Sequence, residues 1–340
     1  MKKAAIVILN WNGRKLLEQF LPPLIERTPK EEADLIVADN GSTDDSIEFL
    51  KTHYPQIIIQ ALNKNYGFAE GYNHALDSLH YEYAVLLNSD VEVGKDWFRK
   101  AIDYLEAHPD ITALQPKILQ YNDPSFFEYA GASGGFMDIY GYPFCRGRIL
   151  NRIEQDKGQY DRPISIFWAS GACLFIRLDD FKKAGGFDTR FFAHQEEIDL
   201  CWRLNREGKK IVCLPQSIVY HVGGATLTQS SPKTYLNFRN NLLMLYKNLP
   251  VSRYKKVMRV RFFLDHLSAL HFLVKGQGRN ALSVWKARRD FYRLKQEYAP
   301  IRKTNGPICK QEFPDTIFRE SIIRLYYFKN RKKYSQLYSN

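Results

Sequence analysis

No Cys-x-x-Cys pair occurs in this sequence, and its five cysteines (Cys145, Cys173, Cys201, Cys213 and Cys309) are scattered. An odd, scattered set suits a reducing compartment better than a disulfide framework, so a cytoplasmic location is expected. No uninterrupted apolar run is long enough to cross a bilayer core of about 30 Å. The best candidate, residues 262–274, is interrupted by Asp265, His266 and His271, so no transmembrane helix is expected. The opening MKKAAIVILNWNG has two lysines before an apolar run, but Asn10, Trp11 and Asn12 follow at once and no cleavage site is present, so it reads as a first strand and not a signal peptide. No G-x-G-x-x-G follows that strand, which argues against a dinucleotide-binding dehydrogenase, and no G-x-x-x-x-G-K-[ST] phosphate loop is present. A nucleotide bound here must be held by side chains and a metal more than by a glycine-rich loop.

With 45% hydrophobic and 25% charged residues, the chain can bury one large core or two ordinary ones. The net charge of +12 is uneven. Residues 231–340 hold 24 Lys/Arg against 6 Asp/Glu, whereas residues 1–230 hold 25 against 31. An acidic body with a basic tail points to a polyanionic partner, either nucleic acid or an anionic membrane surface.

Residues 4–9 form a β-branched run ending in a polar turn, and residues 15–24 have helical spacing that Pro22 and Pro23 should terminate. Residues 33–38 are a second buried strand, followed by DNGSTDD, in which Ser42 or Thr43 can cap a helix over 45–54. A third strand spans 56–60, and a Gly/Asn-rich loop over 63–73 runs into a helix from about residue 70. The fourth strand, 83–87, stops at Asn88-Ser89-Asp90. This alternation predicts an α/β nucleotide-binding half-domain with right-handed crossovers. In such sheets ligands lie beyond the carboxyl ends of the strands, where Asp90 and Asp39 stand. Each can serve a ligand or cap a turn. Trp11 can stack on a base or sit half-buried in the core.

A helix over 97–108 and a strand over 111–119 come next, and residues 122–162 show little periodicity and read as acceptor-side or lid loops. A strand-like run over 164–176 is broken at Ser170-Gly171. Residues 196–206 have helical spacing, with Glu196, Glu197 and Asp199 crowded at the start and Gly208 past the end. Those acids are either a solvated helix start or, beside Phe191 and Phe192, a partly buried set suited to proton abstraction. His221 ends a strand over 211–220 in a Gly-rich turn, a plausible ligand position.

The stretches AIVILNWNG, LIVADNGSTDDS, NKNYGFAEGYN, VLLNSDVEV, SGACLFIR, GGFDTRFF, EEIDLCWR and YHVGG occur over residues 4–225. Together they resemble the inverting glycosyltransferases of family 2, in particular the bacterial rhamnosyltransferase-like branch. The resemblance implies a GT-A fold, a Rossmann-like mixed sheet flanked by helices, over residues 1–230. Its nucleotide-sugar-binding half is residues 1–95 and its acceptor-side half residues 96–230, and 231–340 form a basic amphipathic helical extension.

It further implies that Asn88-Ser89-Asp90 occupies the family's D-x-D position with Asn88 in place of the first Asp. Asp90 would then bind a divalent cation, Mg²⁺ or Mn²⁺, with His221 completing the shell. Glu197 takes the position of the proposed catalytic base, with Glu196 and Asp199 as neighbours. Asn10, Trp11, Asp39, Asn65 and Asn73 fall on the donor side. The implied partners are a nucleotide-diphospho-sugar, such as dTDP-rhamnose, and a glycan or polyprenyl-diphosphate-linked acceptor in bacterial surface polysaccharide synthesis.

The basic extension either rests on the anionic inner leaflet of the cytoplasmic membrane, packs on the body, or forms a homodimer contact. Three rival functions are a nucleic-acid-binding protein acting through the tail, a sugar-nucleotide pyrophosphorylase, which would need a glycine-rich basic loop that ILNWNG is not, and an inactive, glycosyltransferase-like scaffold. The negative body and the lack of a recognised binding module argue against nucleic acid.

Overall fold

The computed structural model describes residues 2–223, 230–305 and 314–338. Gly224, Ala225 and Cys309 lie outside the described residues, and the other four cysteines are buried free thiols. The first part of the chain alternates as expected. It runs through β1 (Ala4–Asn10), α1 (Arg14–Glu26), β2 (Ala33–Asp39), α2 (Ser46–His53), β3 (Ile58–Ala61), α3 (Gly67–Asp77) and β4 (Tyr83–Leu87). Strands covered by helices on both faces must be apolar throughout, and β4 is buried at all five positions.

Next come β5 (Val91–Val93), α4 (Trp97–Ala107) and β6 (Ile111–Gln120), and then four short strands: β7 (Gly135–Asp138), β8 (Pro143–Cys145), β9 (Arg148–Ile149) and β10 (Arg152–Ile153). They are followed by β11 (Ile164–Ser165), β12 (Cys173–Arg177), α5 (Leu178–Lys183), α6 (Glu196–Arg206) and β13 (Lys210–His221). The C-terminal part contributes α7 (Ser231–Asn248), α8 (Val251–Val274), α9 (Gly278–Leu294), α10 (Ala299–Asn305), β14 (Ile317–Phe318) and α11 (Ile322–Phe328).

Among the described residues nine strands form a mixed sheet ordered β11-β13-β6-β12-β4-β1-β2-β3, with β5 on β13. β1 is parallel to both β2 and β4, and β12 inserts antiparallel between β4 and β6. This placement brings the ends of β1, β2 and β4 to one edge. It also sets the start of β12 beside the end of β4, where the Asn88 N–H donates to the Ala172 carbonyl at 3.0 Å.

Three local expectations are corrected. Pro22 and Pro23 lie inside α1 and do not end it, because the buried stripe Leu17, Phe20, Leu21 and Leu24 continues through them. Neither Ser42 nor Thr43 caps α2. Ser42 Oγ instead accepts the Asn12 N–H, and Asp44 accepts from the N–H and hydroxyl of Ser46. Residues 122–162 are not free lid loops. Phe127, Phe136, Phe144 and Ile149 are buried, and β10-β9-β8-β7-β14 form a second sheet. Its signal is hidden in sequence because the strands are two to four residues long and one edge strand comes from far along the chain.

The C-terminal part is stitched into this second sheet. Asp138 Oδ1 accepts the N–H groups of Tyr140 and Tyr142, and its Oδ2 accepts that of Ile322 at 2.9 Å. Glu154 Oε1 accepts the Tyr334 N–H at 2.9 Å. One apolar cluster accordingly contains Phe136, Phe144, Leu242, Leu245, Ile322 and Tyr334. α9 packs on both α7 and α8. Between α8 and α9, Asp265 is 1% exposed and receives Arg261 Nε at 3.1 Å and Arg288 Nη2 at 2.8 Å.

Removing one partner of such a buried cluster leaves guanidinium charge uncompensated. Asp265→Ala is therefore expected to lower the unfolding free energy by about 3–5 kcal/mol, measured by urea denaturation. A change under about 1 kcal/mol would show that the cluster is effectively solvated.

Candidate functional site

The register of β1, β2 and β4 sets Asn10 opposite Asp39 and Ile8 opposite Leu87, so the three following loops share one edge of the sheet. Asp39 is fully buried and both its oxygens are engaged. Oδ2 accepts from Asn10 Nδ2 at 2.9 Å, and Oδ1 accepts the Ser42 N–H at 2.8 Å. It braces two loops. Asn10 Oδ1 is sealed from solvent without a hydrogen-bond partner. A Cβ on Gly13 would lie 2.3 Å from that oxygen, so a side chain at this position would displace the Asn10 amide. Trp11 is 49% exposed and keeps a face free for stacking.

The two other donor-side candidates are anchored to backbone. Asn65 Oδ1 accepts the Gly67 N–H at 2.8 Å and an Asn40 amide hydrogen, which starts α3 earlier than its spacing predicts. Asn73 exchanges two hydrogen bonds with the backbone of Phe187, at 2.8 and 2.9 Å, and so pins the Gly185-Gly186 turn.

Asp90 and His221 meet at 3.1 Å between Oδ1 and Nε2. β5 pairs with the end of β13, and this brings the two residues together across the sheet. The other ring nitrogen, Nδ1, faces Glu128 Oε1 at 3.5 Å, and all three residues are nearly sealed from water. Asn88 Nδ2 lies 3.5 Å from His221 Nε2. Burial disfavours a charged imidazole. The hydrogen bond to Asp90, with the charges of Asp90 and Glu128, outweighs it and pushes the His221 pKa up to about 10. Gly223 has φ +68°, and a Cβ there would lie 2.9 Å from Glu128 Oε1, so this glycine makes room for the second carboxylate.

Glu128 was missed in the sequence because its segment read as loop. The only available signal was an acid in the Gly-rich stretch EYAGASGG.

Two donor atoms 3.1 Å apart match adjacent corners of an octahedron whose bonds are about 2.1 Å, for which about 3.0 Å is required. The carboxylate behind the imidazole is the usual outer partner of a metal-binding histidine. Among the described residues no group of three or more His, Cys, Asp or Glu forms a complete cation site. The Asp90–His221 pair thus fits an ion whose remaining ligands are phosphate oxygens and water.

The third component is the start of α6. Its approach is strained, with Phe192, His194 and Gln195 at φ 64°, 71° and 73°. Each such residue costs on the order of 1 kcal/mol or more. α7 holds this turn in place. Asn240 Nδ2 donates to the carbonyls of Phe191, Ala193 and His194 at 2.8–2.9 Å, and Asn241 Nδ2 donates to Gln195 Oε1 at 3.1 Å. From the other side, the Phe68 and Ala69 N–H groups bond the Phe192 carbonyl. The Phe68 ring tip packs over Gly171, beside the Ala172 carbonyl that receives Asn88. Phe68 thus links the strained turn to the segment that receives Asn88.

The three acids of this helix separate by environment. Asp199 is fully buried, and although burial opposes its charge, Lys247 at 2.8 Å, Arg203 at 2.9 Å and Asn248 at 2.7 Å hold its pKa down to about 2. It is a structural anion with no free oxygen for an acceptor. Glu196 and Glu197 have no such cations. Oε2 of each is buried without a hydrogen-bond partner, and burial drives both carboxyls upward, Glu197 to about 7. His194 is kept neutral by burial and the charge of Lys233, with its pKa down to about 4.

Residues 5–185 match the family described as Glycosyl transferase family 2, a span that includes Asp90 and Glu128 and ends before Glu197 and His221. A longer match is made to the N-acetylglucosaminyl-diphospho-decaprenol L-rhamnosyltransferase of Mycobacterium tuberculosis. It is 27% identical over 235 residues, covering 64% of this chain and 75% of the relative. The low-salt glycan biosynthesis hexosyltransferase Agl10 of Haloferax volcanii is 26% identical over 246 residues, 70% of this chain and 74% of that one. In structure, the chain is similar to GalNAc-T7 with UDP, GalNAc and Mn²⁺, with a TM-score of 0.59 and 15% identity over 91% of this chain and 58% of that one. It is also similar to Staphylococcus aureus TarS 1–349 with UDP-GlcNAc, with a TM-score of 0.57 and 16% identity over 90% and 89% of the two chains.

The raised Glu197 carboxyl has a measurable consequence for stability. Its folded pKa of about 7 exceeds the ordinary 4.5, so the native state holds a proton that the unfolded chain releases. The stabilisation is complete below the unfolded value and is lost as pH rises through the folded one. Glu197→Gln is therefore expected to flatten this slope and to be more stable than the unsubstituted chain by roughly 2–3 kcal/mol at about pH 8, with little difference near pH 4. Parallel urea-unfolding curves for the two proteins across this range would show instead that the carboxyl is solvated.

Proposed function

The chain belongs to glycosyl transferase family 2, and from that membership we propose that it transfers a sugar from a nucleoside-diphosphate donor to an acceptor hydroxyl with inversion at the anomeric carbon. The observations that support this reading are the Asp90–His221 pair at 3.1 Å and, at the start of α6, glutamates each with a buried, unbonded oxygen.

The donor's nucleoside would lie over the β1 and β2 loops, with Trp11 stacking on the base and Asn10, bonded to Asp39, holding the loop beneath it. Its diphosphate would reach the end of β4, where Asp90 and His221, with Asn88 beside them, would hold Mg²⁺ or Mn²⁺. When bound, such an ion supplies charge that stabilises the departing nucleoside diphosphate. Glu128 keeps the His221 ring oriented for that role.

Glu197 is the base. With a pKa near 7 it is substantially unprotonated at neutral pH yet basic enough to take the acceptor's hydroxyl proton. The acceptor oxygen attacks C1 as the bond from C1 to the diphosphate oxygen breaks, the electron pair leaving with the nucleoside diphosphate. One displacement from the opposite face inverts the configuration. Asn240 and Asn241 fix the turn from which Glu197 projects.

The Mycobacterium tuberculosis relative is named for rhamnosyl transfer to a diphospho-decaprenol-linked N-acetylglucosamine. A polyprenyl-diphosphate-linked glycan is accordingly the acceptor class, dTDP-rhamnose the first donor to test, and surface polysaccharide synthesis the process. A lipid-linked acceptor requires contact with the membrane, and the basic helical extension would supply it. Among the described residues no helix is long and apolar enough to cross a membrane.

Calorimetric titration with UDP, GDP and dTDP, each with and without Mn²⁺, identifies the base and tests the ion. One nucleotide is expected to bind at least tenfold more tightly with Mn²⁺, and Asp90→Asn should remove that gain. Equal affinity with and without the ion would exclude the assigned metal role. For the chemistry, Glu197→Gln is expected to lower kcat by about 10²–10⁴-fold with donor KM nearly unchanged. A product that retains the donor's anomeric configuration by NMR would overturn the single displacement.

A further inference from the structure

The αα-hairpin of α8 and α9 exposes a surface that the core does not explain. Phe263, Leu267, Leu270 and Val274 recur at intervals of four, three and four residues, so they form one stripe along α8. They are 72%, 59%, 55% and 81% exposed. Leu282 and Trp285 of α9 are also exposed, at 62% and 41%. A contiguous apolar surface of this kind marks an interaction site.

The charges around it are of one sign. Residues 251–294 contain eleven Lys/Arg and two acids. Both acids are buried and paired: Asp265 with Arg261 and Arg288, and Asp290 with Tyr235 and Arg289. Arg259, Lys275, Arg279 and Lys286 are all exposed, and no carboxylate is exposed among them.

We propose that the α8–α9 hairpin is a monotopic docking surface for an anionic lipid bilayer, with the α8 stripe in the acyl boundary and the flanking cations on the headgroups. An interfacial helix is recognised by this combination of large apolar side chains on one face and Lys/Arg beside them. Nucleic acid would take the cations but leave the stripe in water. A two-fold contact with a second copy would bury the stripe but press like charges together with no exposed carboxylate to pair them. The inference deepens the proposed reaction by naming where the enzyme meets the leaflet that carries a lipid-linked acceptor. α7 links the two functions directly, since it clamps the acid-bearing turn through Asn240 and packs on α9, where Tyr235 bonds Asp290.

The test is flotation of the full chain with phosphatidylcholine vesicles, with and without about a third phosphatidylglycerol, at about 0.1 M and about 0.5 M salt. The chain is expected to float with the anionic vesicles at low salt, and high salt should weaken this. A Phe263→Ser, Leu270→Ser, Val274→Ser triple variant and a Lys275→Glu, Arg279→Glu double variant should each lose at least tenfold in partitioning while keeping the circular dichroism of the parent. Failure of the parent to float with anionic vesicles at low salt would overturn the proposal. So would a triple variant that floats as well as the parent, or a solution dimer that the triple variant dissolves. Both variants should retain turnover on a water-soluble acceptor. Flotation without turnover on any donor would sink the proposed reaction and leave the docking surface standing.

Discussion

Asp199, sealed from water, receives Arg203 from its own helix and Lys247 and Asn248 from α7. A buried ion cluster of this kind adds little net stability, since desolvation offsets much of the attraction, but it penalises any arrangement that leaves one charge unpaired. Its consequence is registry. α6 cannot slide or rotate against α7 without stranding an anion or an ammonium, and Lys247 also binds Asp188, so the turn after Gly186 is locked to the same point. Glu196 and Glu197 stand on the same first turn as Asp199. Their positions are fixed by an interaction they do not join.

The carboxylates of the site are chemically alike and are sorted by what surrounds them. Asp39 accepts from an amide and a backbone N–H and braces two loops. Asp199 is saturated by cations and becomes an anchor. Asp90 and Glu128 share one imidazole from opposite sides, which orients the ring and leaves it at a strand end beside a free edge of the sheet. Glu196 and Glu197 are given burial without cations, and their proton affinity rises in consequence. Environments that push like groups apart in this way are how one fold obtains both fixed charge and exchangeable protons at neutral pH.

What was legible in the sequence follows from which signals are local. β1, β2 and β4 are buried on both faces and announce themselves as apolar runs, and α6 begins and ends at the residues its spacing indicates. Asp90 and His221 stood out as polar residues at strand ends. Non-local features stayed hidden. The second sheet takes β14 from nearly two hundred residues beyond β7, and no window of sequence contains that pairing. Glu128 gains meaning only when β13 delivers His221 beside it. Asn240 and Asn241 look like ordinary polar residues of an amphipathic helix, yet their amides hold together a turn with three left-handed residues. The motif around Asn73 signals the donor side, and its amide is engaged by the Phe187 backbone.

The outward stripe of α8 also follows from a buried polar group. α8 carries apolar residues around most of its circumference, with Val257 and Ala269 inward and Phe263, Leu267 and Leu270 outward. A helix apolar on all sides has no preferred rotation against its neighbour, because each face buries about as well as another. Asp265 removes that freedom. It must meet Arg288 of α9 and Arg261 of its own helix, and Arg261 in turn reaches the Tyr140 carbonyl and the Asn241 amide oxygen. Turning Phe263 or Leu270 inward would carry Asp265 toward water and leave two guanidinium groups buried without it. The ionic cluster therefore selects which apolar face is buried and which is presented, and the exposure of the second face is specified by the fold.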